Sequence, residues 1–116
     1  MRNKRIGKRT MKMQNSPTII STASIVGPKE GKGPLKAKFD VILPDDLYGE
    51  KTWELAESKM IQTALETAVQ KVEKQLDDIE FLFGGDLINQ IFPASFAARA
   101  LGIPFCGIYG ACSTMA

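Results

Sequence analysis

Three short runs of apolar, largely β-branched or aromatic residues alternate with two segments of helical character, and this alternation restricts the chain more than any other feature. Residues 18–26 (TIISTASIV) close on Gly27-Pro28, residues 79–83 (IEFLF) on Gly84-Gly85, and residues 103–109 (IPFCGIY) on Gly110. Each reads as a strand stopped by a glycine turn, the first of them as a buried strand. Between the first two runs, Trp53, Ala56, Met60, Ala64, Ala68 and Val72 recur at three- and four-residue steps, flanked by Ile61, Leu65, Val69 and Leu76. That spacing predicts a long amphipathic helix over residues 51–76, with its Trp and Met positions in the core. Thr52 supplies a hydroxyl and Glu54 a negative charge where a helix N-terminus favours both. Between the second and third runs, Ala94, Phe96, Ala97, Ala98 and Ala100 make a compact small-residue helix over residues 93–101, which lets backbones approach closely, and Gly102 is its natural stop. Strands alternating with helices in this order predict an α/β fold, a mixed but mostly parallel sheet with helices packed on it.

The remaining segments are read from composition. Residues 27–49 are dense in Gly, Pro and charge, and the apolar stretch at 39–43 predicts that this long excursion docks on the body. Residues 9–14 suit a short edge strand. Six cations, Arg2, Lys4, Arg5, Lys8, Arg9 and Lys12, precede Gln14 with no acid among them, so against a net charge of +2 the rest of the chain is net acidic. This basic leader, residues 1–14, is open to two readings: a contact for an anionic surface or a solvated terminus. No aromatic residues interleave with its cations, so no nucleic-acid partner is expected. No apolar h-region follows it and no run is long enough to span a bilayer. With 116 residues, 44% of them hydrophobic, one core of modest size is expected, formed by a domain over residues 15–116.

The chemistry concentrates at the last turn. In a parallel α/β sheet, ligands bind at the carboxyl ends of strands, where a following helix aims its N–H groups. Cys112 follows the third strand in a run of small residues that has the composition of a helix start. A thiol there is either a nucleophile activated by the helix dipole or a small apolar filler. Cys106, in mid-strand, is expected in the core. By position Asp86, Asn89 and Gln90 follow the end of a neighbouring strand and line the same mouth, or else serve as turn and cap residues. The chain has no histidine, the commonest general base, and its two cysteines make neither a zinc pattern nor a disulfide framework, so no metal site and no cofactor are expected.

The segments at 19–31 (IISTASIVGPKEG), 49–54 (GEKTWE), 85–91 (GDLINQI), 95–99 (SFAAR), 101–104 (LGIP) and 109–114 (YGACST) together resemble the stage V sporulation AD family of endospore-forming bacteria. The resemblance covers nearly all of the chain beyond the leader. It implies a thiolase-like fold, related to ketoacyl-acyl-carrier-protein synthases and built of two pseudo-symmetric α/β halves in five layers, of which this chain supplies part of the first. In the condensing enzymes the cysteine matching Cys112 accepts the acyl group, and its His and Asn partners come from the other half. The family is associated instead with binding pyridine-2,6-dicarboxylate (dipicolinate), or its calcium chelate, for uptake into the developing spore. The implied ligand-binding residues are Cys112, Ser113, Asn89, Gln90 and Asp86, with an acyltransferase using Cys112 as the alternative. The implied partners are the other membrane proteins of the stage V sporulation A operon and a second copy of the full-length chain. The implied location is the cytoplasm or the periphery of the spore inner membrane. The sequence stops just past the Cys112 turn, so it is expected to be the leading piece of a larger α/β protein, with an apolar face and open strand edges.

Overall fold

A computed structural model describes residues 5–8, 10–89, 91–110 and 114. Six short strands and two α-helices follow the alternation in the sequence. β1 (Arg5–Ile6) and β2 (Thr10–Met11) form an antiparallel hairpin that turns on Gly7 at φ 67°, a left-handed conformation that suits glycine. The basic leader thus contains a strand pair, and the expected edge strand at 9–14 narrows to β2 with β1 as its partner.

β3 (Ile25–Val26) runs parallel to β4 (Val41–Ile42), with Ile25 opposite Val41 and Val26 opposite Ile42. The glycine-rich excursion therefore does dock: two single-turn 3₁₀ helices at Glu30–Lys32 and Lys36–Lys38 carry it round, and it returns as β4. The strand expected over residues 18–26 shortens to β3, and the expectation that it is buried fails at its start, where Ile19 and Ile20 are exposed. The reason is pairing. Residues 21–23 face β5 across an apolar cavity of about 350 Å³ and are not laddered to it. High β-propensity without a hydrogen-bonded neighbour does not make a strand.

α1 (Trp53–Gln70) begins where Thr52 caps it, its hydroxyl accepting the Leu55 N–H at 3.3 Å. It is shorter than the periodicity over 51–76 suggests. Beyond Lys71 the backbone reaches φ 55° at Glu73, and Leu76 enters a 3₁₀ turn, Leu76–Asp78. Trp53 is the first residue of α1 and overhangs its N-terminus 55% exposed, against the core position expected for it, while Met60 is half-buried.

β5 (Leu82–Gly84), α2 (Phe92–Leu101) and β6 (Phe105–Gly107) form a strand–helix–strand unit in which β5 and β6 are parallel neighbours. α2 stops at Gly102, φ 69°, whose N–H returns to the carbonyls of Ala98 and Arg99. Its alanines allow close contact with α1, and Ala94, Ala97 and Ala98 are buried. Leu43, Ala56, Val69 and Ile103 complete the core. Cys106 is exposed, contrary to the core position expected for it. Side chains alternate along a strand, and Cys106 shares the open face with its register partner Phe83. Among the described residues no helix is long and apolar enough to cross a membrane.

The β3–β4 pair is tied to α1 by one charged cluster. Lys71 at the end of α1 pairs with Asp40 and donates to the Thr22 carbonyl at 2.9 Å, while Asp40 accepts the Ser24 N–H at 2.8 Å. The Lys71 ammonium, then the Ser24 N–H, hold the Asp40 carboxyl below the ordinary carboxylate value. A depressed carboxylate favours the fold above its unfolded-state pKa, and that contribution disappears as pH falls through the folded-state value. The cluster is partly exposed, so the effect is modest. In urea titrations between about pH 5 and about pH 2, the midpoint of the native chain should fall more than that of Asp40→Asn. Parallel curves would remove the cluster from the account.

Candidate functional site at the ends of β5 and β6

Parallel pairing puts the carboxyl ends of β5 and β6 side by side. Gly84 lies opposite Gly107, and the Ile108 N–H reaches the Gly84 carbonyl at 2.7 Å. The chain then folds back: the Thr114 hydroxyl donates to the Ile108 carbonyl at 3.0 Å and accepts the Gly110 N–H at 3.2 Å. This turn presses on the end of β5. A Cβ on Gly85 would meet the Ile108 carbonyl oxygen, with Thr114 Cγ2 at 2.8 Å, so glycine is required by close approach. Cys112 and Ser113, like Gln90, lie outside the described residues.

The segment after β5 is held by carboxylates. Asp86 is 1% exposed, and its Oδ2 accepts the Ala94 N–H at 2.9 Å. Ala94 is the third residue of α2, Ile91 gives that helix no side-chain cap, and Asp86 therefore serves as its cap from outside. The other oxygen, Oδ1, is buried without a partner among the described residues. Of the two readings of Asp86 offered by the sequence, this geometry is that of the capping residue. Its carboxylate is turned into the protein.

Glu57, on α1, accepts the Leu87 N–H at 2.9 Å on one oxygen and the Ile88 N–H at 3.3 Å on the other. Nothing in the sequence marks it, because it is one acid among several on an amphipathic helix. Asn89 follows, exposed, on the same turn. Tyr109 leans back over Gly107 and its hydroxyl lies 3.4 Å from that of Ser95, linking the turn after β6 to α2. A groove of about 470 Å³ opens beside this edge, lined by Ile25, Leu43, Asp46, Trp53, Met60 and Ile88. The ends of β3 and β4 therefore share an edge with the turn after β5. Among the described residues no three His, Cys, Asp or Glu side chains gather as metal ligands.

The arrangement brings two clasped turns together at the carboxyl ends of parallel strands, the edge where such sheets receive small ligands, with the Asn89 side chain exposed there. Comparison with known proteins agrees in extent with the sequence resemblance. Residues 7–116 match the family model described as Stage V sporulation protein AD. The Stage V sporulation protein AD of Bacillus subtilis (strain 168) is 40% identical over 108 residues, which are 93% of this chain and 32% of the relative. The chain thus spans about a third of the length of the curated relative it matches. A family match that takes in both helices, both parallel strand pairs and the clasped turns leaves one assignment: the chain belongs to the Stage V sporulation protein AD family, whose members are sporulation proteins.

Proposed function

We propose that this chain forms part of a dipicolinate-binding protein of the developing spore, built on a thiolase-like scaffold over residues 15–116 behind the basic leader of residues 1–14. The observation that supports the reading is the clasp of the turns after β5 and β6, in which Thr114 bonds Ile108 and Gly110 and Gly85 closes against Ile108, with Asn89 exposed on the first turn and Cys112 and Ser113 lying in the sequence between Gly110 and Thr114. Family membership supplies the sporulation context.

A rigid aromatic dicarboxylate needs donors at two ends and shape in between. The side chains of Asn89, Gln90 and Ser113 can donate, and Cys112 fills space without adding charge. Asp86 acts by holding α2 and its loop, since its buried carboxylate would repel an anion at contact distance. Calcium would offset the charge of the ligand as its chelate, because a hard cation prefers carboxylate oxygens. The same reading has the complete protein work at the inner spore membrane as a peripheral subunit, beside membrane proteins of the stage V sporulation A operon and as a homodimer.

Calorimetric titration of the full-length protein with dipicolinate, with and without calcium, tests the proposal. A saturable heat with one site per chain is expected. Absence of any saturable heat under both conditions would contradict it.

A further inference from the structure

We infer that Glu57 is a positioning residue that holds the turn at residues 86–89 in place at the ligand mouth. Its carboxylate accepts from two successive backbone N–H groups, Leu87 and Ile88, with one oxygen to each. Glu57 itself is well placed to act as a fixed post. It is half-buried on α1 between buried Ala56 and Ser58, in the second turn after the Thr52 cap. The turn it holds has little else to fix it. Leu87 and Ile88 are 52% and 51% exposed, so apolar burial anchors them weakly, and the neighbouring anchor is the bond from Asp86 to Ala94.

Two acids thus set one loop, Asp86 against α2 and Glu57 against α1. The consequence for recognition follows from hydrogen-bond accounting. The Leu87 and Ile88 amides already have a carboxylate, so they are not open to a carboxylate of the ligand. On this side of the mouth, recognition falls to the exposed side-chain amide of Asn89. Glu57 acts on the ligand only through the loop. This inference rests on the proposed dipicolinate site, and its test has an arm that does not.

The experiment compares the full-length protein with Glu57→Ala and Glu57→Gln. Glutamine keeps one acceptor but turns an NH₂ toward the second amide, so it should fall between. The first arm is hydrogen exchange at individual amides. Exchange at Leu87 and Ile88 should quicken by about 10-fold or more in Glu57→Ala and less in Glu57→Gln, while the amides of Ala97 and Ala98 keep their protection. The second arm is dipicolinate titration, in which Glu57→Ala should bind about 10-fold more weakly, with Glu57→Gln again between. Unchanged exchange at Leu87 and Ile88 overturns the inference whatever the ligand does. Faster exchange with unchanged dipicolinate affinity overturns it too, because the loop would then not serve the mouth. If the native protein takes up no dipicolinate, the proposed function fails, and the exchange arm alone decides whether Glu57 holds the loop.

Discussion

Replacing Gly85 with valine should cost about 3 kcal/mol or more of folding stability, the upper end for forcing atoms into a filled site. The cost is steep because the obstacle is backbone. A Cβ at this position meets the Ile108 carbonyl oxygen, which is fixed by the β5–β6 ladder and by the Thr114 hydroxyl, and cannot rotate aside as a flexible side chain would. Alanine should already be strongly destabilising. Gly84 is the internal control: a Cβ there meets only the Phe105 ring at 3.6 Å, an ordinary contact, so Gly84→Ala should change stability by less than about 1 kcal/mol. Urea unfolding of the three variants measures the contrast. Equal midpoints for Gly84→Ala and Gly85→Ala would mean that the two turns are not clasped.

Asp86→Ala should be the second large effect, about 2 kcal/mol. It removes a charge-assisted bond to the third residue of α2 and leaves the Ala94 N–H buried without an acceptor. It also removes a buried carboxylate oxygen that lacks a partner, and this relief keeps the net loss below that of a fully satisfied buried acid. Asp86→Asn retains an acceptor for Ala94 and should recover much of the loss. Thermal unfolding gives the ranking native, Asn, Ala. An alanine variant as stable as the native chain would show that α2 does not depend on this cap.

These two residues show how far the sequence could be read. The turn glycines were visible as strand stops, but Gly84-Gly85 looks like a pair, and only the return of Thr114 over Ile108 separates a replaceable glycine from an irreplaceable one. Features that depend on local chemistry were legible: the Thr52 cap, the Gly102 stop, the small-residue contact of α2 on α1, and the parallel pairing of β5 with β6 implied by strand–helix alternation. Features that depend on what lies opposite were not. The β-branched run at 18–26 gave no sign that only Ile25 and Val26 find a partner, and the three- and four-residue steps of α1 could not say that Trp53, its first residue, is exposed. Cys106 looked like core for the same reason, since alternation fixes two faces without saying which is covered.

At the candidate site, the strand-end rule put Asp86 and Asn89 just past the carboxyl end of β5, because it follows from parallel topology alone. It could not divide their roles. Asp86 faces inward to cap α2 from a distance of eight residues, and Glu57 reaches across thirty positions to a loop it gives no hint of touching. Long-range carboxylate-to-backbone bonds leave no periodicity in a sequence.

The central claim is that the turns after β5 and β6 form one mouth for a dicarboxylate, and dipicolinate titration followed at the backbone amides tests it most directly. Amides on both turns, Leu87, Ile88 and Asn89 on one and Gly110 and Thr114 on the other, should shift together along a single saturation curve. Shifts confined to one turn, or saturation that leaves both turns unmoved, would contradict it.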